Sequence, residues 1–327
     1  MTVQLVSVNR AAVEAEAPAE AGSEFLHDLR RALAAPPHAI SPKYFYDAEG
    51  SRLFDRICDL PEYYPTRTER SILSTFAAEI AECTGVDGDV VEFGAGSCSK
   101  VRLLLGALKP RRYIPIDIST EHLEAAAAQL GDEHPGLLVL PLAADYTASV
   151  RLPPPLSGAP RIGFFPGSTI GNFTPPEALQ FLRNAARLLR GGGLLLGADL
   201  VKDPTVLHAA YNDAQGVTAA FNLNLLARAN RELGTDFDLG RFWHSAFYNA
   251  AQQRIEMHLV SRERQHVELA GERYTLEEGQ ALHTENSHKF SVDSLRRLAR
   301  QAGFEPGPAW TDPDGKFSVH WLRAPAE

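Results

Sequence analysis

From residue 89 to residue 200 the chain alternates strand-length apolar runs with helical periodicity, and this alternation limits the fold more than any other feature. Residues 89–93, 113–117, 137–142, 161–166 and 194–200 are the apolar runs. Residues 100–108, 120–130 and 175–190 carry apolar side chains at helical spacing between them. Strands separated by helices cannot close as tight hairpins, so they assemble side by side into a parallel sheet. The sequence therefore predicts a doubly wound α/β sheet. In such a sheet, ligands bind beyond the carboxyl ends of the strands. Two turns there are unusually small and polar. Gly94-Ala95-Gly96-Ser97-Cys98-Ser99 follows the first strand, and Gly167-Ser168-Thr169-Ile170-Gly171-Asn172 follows the fourth. The second leads into Thr174-Pro175-Pro176-Glu177, which reads as an N-cap, a proline-rich first turn and a capping-box glutamate.

The alternation stops after Lys202. Residues 204–233 read as mostly helical, with Asp203 as N-cap. Residues 255–259, 265–269 and 272–276 have strand character with short turns between them. A helix over 291–302 and a strand over 317–322 resume the first pattern. An insertion of about ninety residues is large enough to form a lobe of its own. Residues 41–65, where Tyr44, Phe45, Tyr46, Tyr63 and Tyr64 crowd among turn formers, are expected to join it. The expected organisation is a frayed leader over 1–22, a substrate-binding lobe from 23–68 and 203–290, and a cofactor-binding domain from 69–202 and 291–327.

Composition narrows the class. A hydrophobic fraction of 44% and a charged fraction of 22% are those of a soluble globular protein. A net charge of −9 argues against a general nucleic-acid or anionic-membrane surface. Three cysteines are too few and too scattered for a disulfide framework or a zinc site. The eleven histidines form no cluster at ligand spacing along the chain. With no long apolar run and no secretory signal, a cytoplasmic, monomeric enzyme without a metal is the expectation.

The glycine turn after the first strand lets backbone approach a ligand closely. Asp117, closing the second strand, stands where a carboxylate accepts from two ribose hydroxyls. Both features suit dinucleotide enzymes and S-adenosylmethionine methyltransferases alike. The dinucleotide fingerprint needs a further small residue where this chain has Ser99. Asp145-Tyr146 after the third strand, an acid and an aromatic for an adenine, favours the methyltransferase over an NAD(P) oxidoreductase.

Longer motifs carry a resemblance. They are Phe45-Tyr46-Asp47, the run from Leu60 to Arg67, Gly94-Ala95-Gly96 with Lys100, the run from Gly167 to Asn172, and the run from Asp199 to Asp203. Tyr211, Gly216-Val217-Thr218, Arg254-Ile255-Glu256-Met257, and Thr284-Glu285-Asn286-Ser287 with Lys289-Phe290 continue it. Along nearly its full length the chain resembles the S-adenosylmethionine-dependent histidine Nα-methyltransferases of ergothioneine biosynthesis. The resemblance implies a Rossmann-like methyltransferase sheet and conversion of L-histidine to its trimethylated betaine, hercynine, with S-adenosylhomocysteine as by-product. It implies that Gly94, Lys100, Asp117, Asp145 and Tyr146 hold the cofactor. Asn172 and Tyr211 would hold the substrate carboxylate, with the Gly167 backbone near the amine. Tyr63, Glu285 and Ser287 would read the imidazole, with Asn286 between the last two. Met257 would line the side-chain pocket, and Tyr46 would orient the amine.

The chemistry agrees with these roles. Asn172 and Tyr211 can donate to a carboxylate, Glu285 can accept from an imidazole N–H, and Ser287 or Tyr63 can serve the other nitrogen. An indole or phenyl would leave some of these groups unpaired, at roughly 1–3 kcal/mol each. Relatives acting on other aromatic amino acids keep a second substrate open, another aromatic amino acid or derived amine, and a binding module without catalysis is a further alternative.

Overall fold

The computed structural model describes residues 18–148, 150–156 and 161–326. The described residues begin with four α-helices, α1 (Pro18–Ala34), α2 (Ala48–Cys58), α3 (Tyr64–Thr75) and α4 (Ala77–Thr84). The leader expected over 1–22 lies mainly outside the described residues, but its last five positions already belong to α1. The alternating part follows as β1 (Asp89–Phe93), α5 (Arg102–Leu108), β2 (Arg112–Asp117), α6 (Thr120–Glu133), β3 (Leu138–Val139), β4 (Leu142–Ala143), β5 (Arg161–Phe165), α7 (Pro175–Leu188) and β6 (Gly193–Asp199). These strands pair in parallel, with β3 and β4 both beside β2. The third expected strand is thus two short pieces rather than one.

After β6 come α8 (Pro204–Tyr211), α9 (Val217–Leu233), β7 (Phe242–Asn249), β8 (Arg254–Ser261), β9 (Gln265–Leu269), β10 (Glu272–Leu276) and β11 (Ala281–His288). Last are α10 (Val292–Gln301), β12 (Glu305–Thr311) and β13 (Phe317–Arg323). The large sheet has eight strands in the order β12-β13-β6-β5-β1-β2-β3, with β4 also on β2. β13 runs antiparallel to β6, and β12 antiparallel to β13. The sheet is therefore the predicted doubly wound α/β sheet with an antiparallel edge. β12 was not expected, because Pro306 and Pro308 argue against a strand. It is an edge strand, where a missing N–H does not break a ladder. The helix expected over 204–233 divides at Gly216, which takes φ +70°.

The central strands β1, β5 and β6 are buried end to end, which is why their apolar residues do not alternate with polar ones. Phe165, Phe181, Leu182 and Leu295 pack on one face of the sheet, and Ile72, Leu104, Phe164 and Phe317 on the other. A separate core joins Phe25, Leu29 and Phe45 to Phe221, Leu225, Met257 and Leu282, so the N-terminal aromatic segment packs with the inserted elements.

Backbone bonds, a buried hydroxyl and a close turn help to fix this second core against the sheet. Phe290 donates its N–H to the Asp199 carbonyl, and Val201 donates to the Phe290 carbonyl, so the chain beyond β11 is stitched to the end of β6. Tyr64 donates its hydroxyl to the Asp199 carboxylate at 2.7–2.8 Å. The turn over Thr169–Asn172 lies against β11 so closely that a Cβ on Gly171 would stand 2.7 Å from the His288 carbonyl oxygen.

Candidate active site

The carboxyl ends of β1, β2, β4 and β5 open on a cavity of about 1480 Å³. Gly94 and Ala95 donate their N–H groups to the Ile116 carbonyl, which folds the first glycine turn over the end of β2. Gly94 and Gly96 take φ +70° and +50°, conformations that favour glycine. Gly96 then donates to one Asp117 carboxylate oxygen at 2.9 Å, and Ser119 to the other at 3.0 Å. Each oxygen is anchored by one backbone donor and keeps further acceptor capacity facing the cavity. Lys100 precedes α5 instead of lying within it, and its ammonium also lines the cavity.

Tyr146 lies against Phe93, Phe165 and Phe181 in edge-on geometry. A Cβ on Gly94 would come 3.4 Å from its ring. Asp145 accepts from Thr147 N at 2.9 Å and pairs with Lys43 at 3.3 Å. Lys43, from the N-terminal segment, was not foreseen; it closes the cavity over the acid and aromatic pair.

The second small turn forms the cavity's opposite wall. Gly167 takes φ +80° and Ser168 φ +58°, and Ser168 Oγ accepts the Asp199 N–H at 2.9 Å. The expected capping box is present: Thr174 N donates to the Glu177 carboxylate at 2.8 Å, and the Thr174 hydroxyl accepts from the helix backbone. The Gly167 N–H donates to the Glu69 carboxylate, 2.9 Å from each oxygen, and the same carboxylate holds Lys100 at 2.6 Å. Burial alone would lower the Lys100 pKa, but the Glu69 charge holds it above its ordinary value. Glu69, fully buried on α3, therefore ties Lys100, just after the first glycine turn, to the second small turn. Nothing in its spacing marked it, since a glutamate one turn into a helix is commonplace.

Of the expected site residues, Gly94, Lys100, Asp117, Asp145, Tyr146, Tyr46, Gly167, Asn172 and Asn286 line the one cavity. The Asn286 side-chain oxygen is buried without a protein partner, an unmet acceptor at that wall. Tyr63, Tyr211 and Met257 lie in the second core, against which Tyr46 packs, and Glu285 and Ser287 are buried on β11. They converge through hydrogen bonds and apposed rings. Tyr211 OH and Ser287 Oγ are 2.7 Å apart, and the Tyr63 and Tyr211 rings meet edge-on. Met257 stands opposite Glu285 in the register of β8 and β11. Burial pushes the Glu285 carboxyl up to about 7, with the Lys289 ammonium pulling the other way. Burial also raises the Tyr46 hydroxyl well above its ordinary value, with the Glu285 charge adding to it. Tyr46 is therefore neutral and suited to orienting a group, not to taking its proton.

Two further buried ionisable groups, Glu92 and Lys289, have no role assigned from the sequence. Glu92, inside β1, lines the cavity and accepts from Tyr113 OH at 2.5 Å; burial pushes its pKa to about 8. Lys289 lies directly after β11, paired with Asp199 at 2.8 Å. His283 and His288 lie in β11. The sheet also places His283 across from His258, with Glu256 nearby, so that their ligating atoms lie within 4.8 Å. No spacing along the chain reveals this cross-strand group. Its carboxylate is already engaged by Arg254, Asn249 and His258, and the two imidazoles are stacked.

The residues suit an S-adenosylmethionine: a glycine turn without side chains in the way, an anchored acid for a ribose, and an aromatic beside an acid for the base. No described helix is long and apolar enough to cross a membrane.

Comparison with known proteins agrees. A histidine N-alpha-methyltransferase of Mycolicibacterium smegmatis is 44% identical over 309 residues, covering 92% of this chain and 95% of that protein. One from Mycobacterium tuberculosis is 41% identical over 299 residues, covering 89% and 92%. The ergothioneine biosynthesis protein 1 of Neurospora crassa is 29% identical over 338 residues, covering 97% of this chain and 36% of that longer protein. Residues 25–324 match the family model described as histidine-specific, SAM-dependent methyltransferase, and the chain belongs to that family.

Proposed function

We propose that this protein transfers methyl groups from S-adenosylmethionine to the α-amino group of L-histidine, ending at the trimethylated betaine hercynine, the first step of ergothioneine biosynthesis. The observation that carries this reading is the shared cavity. Asp117, Asp145, Tyr146 and Lys100 border it together with Gly167, Asn172 and Asn286, and Tyr46, on the same cavity, feels the Glu285 charge. Its volume of about 1480 Å³ exceeds the usual range for one small ligand and suits two.

The cofactor supplies a sulfonium methyl, an electrophile that needs no metal to activate it. The protein's part is to place a neutral amine in line with it, and proximity accounts for most of the acceleration. Asn172 would fix the substrate carboxylate, with Tyr211 beside it. The Gly167 turn leaves room for an amine that grows with each methylation. Glu285, Ser287 and Tyr63 would read the ring, and Met257 would close the pocket around it. Tyr46 would orient the amine, whose proton leaves to solvent. The inserted elements and the N-terminal segment would then form the substrate lobe over the cofactor sheet.

Offering each natural amino acid with labelled methyl donor tests this. Label should appear on histidine alone, and mass spectrometry should find the trimethylated product. Preferential labelling of tryptophan or phenylalanine, or arrest at the monomethyl product, would refute it. Asn172→Ala should raise the KM for histidine at least tenfold while leaving S-adenosylhomocysteine binding intact.

A further inference from the structure

Lys289 is 4% exposed, and its ammonium contacts three acceptors: Asp199 Oδ2 at 2.8 Å, Ser287 Oγ at 2.8 Å and Tyr211 OH at 3.4 Å. An ammonium has three N–H donors and no acceptor. Neither hydroxyl can therefore give its proton to Lys289. The two hydroxyls are 2.7 Å apart, so one of their two protons is spent on the bond between them, and the phenol of Tyr211, the more acidic hydroxyl, is its donor to Ser287. Ser287 Oγ then accepts from both Tyr211 and Lys289, which fills its two lone pairs. Only its own proton is left for a ligand. The Asp199 carboxylate keeps the lysine charged, although burial works against that.

We propose that Lys289 is a positioning residue that fixes specificity, by making Ser287 an obligate donor toward the substrate ring. The inference rests on the reading of Glu285 and Ser287 as the ring-binding pair. It sharpens that reading into a rule about the ring. The ring must carry a lone pair on the nitrogen facing Ser287 and an N–H on the one facing Glu285. A C–H or a second N–H at the Ser287 position leaves a buried proton without an acceptor or sets two protons against each other. While the bond between the hydroxyls stands, Tyr211 has no proton for the substrate carboxylate, and that task falls to Asn172.

The test compares L-histidine with the two pyrrolylalanine isomers, each of which keeps one ring N–H and replaces the other nitrogen by C–H. The wild-type enzyme should favour histidine over both, the isomer that keeps its N–H for Glu285 included. In Lys289→Met, Ser287 is free to turn its proton elsewhere. The ratio of kcat/KM for histidine to that isomer should fall at least tenfold, chiefly through KM, with S-adenosylhomocysteine affinity unchanged. A merely structural role would lower both substrates alike and leave the ratio in place. Ser287→Ala, run in parallel, separates the two levels. If Ser287→Ala loses the discrimination and Lys289→Met keeps it, the role of Lys289 is refuted. If both variants keep it, the ring-binding pair is misassigned as well. Should Lys289→Met fail to bind S-adenosylhomocysteine, the double variant Asp199→Asn/Lys289→Met, which removes both charges and the donor to Ser287 together, takes its place under the same criteria.

Discussion

Replacing Glu69 by Gln removes one charge and keeps the shape, and the structure sets what should follow. The Lys100 ammonium and the Glu69 carboxylate are 2.6 Å apart, with the glutamate fully buried. At an effective dielectric of about 20 their gross attraction is about 6 kcal/mol. Much of that offsets the desolvation of both ions, yet removing one partner strands the other, and such losses run to about 3–5 kcal/mol. An upper limit comes from Lys100 itself, which can shed its proton at pH 7 for about 4.6 kcal/mol, given an ordinary value near 10.4. The Gly167 N–H keeps an amide oxygen as acceptor, so the turn should persist. Glu69→Gln should therefore destabilise the free protein by about 3–4 kcal/mol in urea unfolding followed by tryptophan fluorescence. If Lys100 faces the cofactor's carboxylate, that anion replaces the missing charge, and saturating S-adenosylhomocysteine should stabilise the variant more than the wild type. A loss under about 1 kcal/mol would refute the pairing argument. Equal stabilisation by the ligand in both proteins would remove Lys100 from the cofactor site.

The remaining predictions concern Glu285 and Gly171. The Glu285 carboxyl sits at about 7 in the folded protein against an ordinary value of 4.5, so the folded state holds a proton that the unfolded state has lost between those values. Stability contributed by this group is present below that window and lost as pH rises through it, by up to about 3 kcal/mol. Glu285→Gln should thus stabilise the ligand-free protein near pH 8 and change little near pH 4.5; a stabilisation independent of pH would contradict the assignment. Gly171→Ala places a methyl 2.7 Å from the His288 carbonyl oxygen, so the turn must part from β11. It should cost about 1–3 kcal/mol in unfolding and raise the histidine KM, with the Kd for S-adenosylhomocysteine little changed. A matching loss of cofactor affinity would mean that the two walls move together.

The sequence by itself determined the sheet and its ligand edge. Period and apolar content placed β1, β2, β5 and β6, because strands buried on both faces have only one way to read. The glycines at 94, 96 and 167 marked turns that need left-handed backbone, and the acid closing β2 marked a carboxylate aimed out of the sheet. The capping box at Thr174 was legible because its partners are three residues apart. What only the tertiary structure decided is the company each polar group keeps. Glu69 meets Lys100 and Gly167, Asp199 meets Lys289 and Tyr64, and Tyr211 meets Ser287, across sequence separations of 31 to 135 residues. Local propensity carries no trace of such pairings. They exist because two cores close on one another, and a charge or hydroxyl removed from water there must find its partner from another part of the chain.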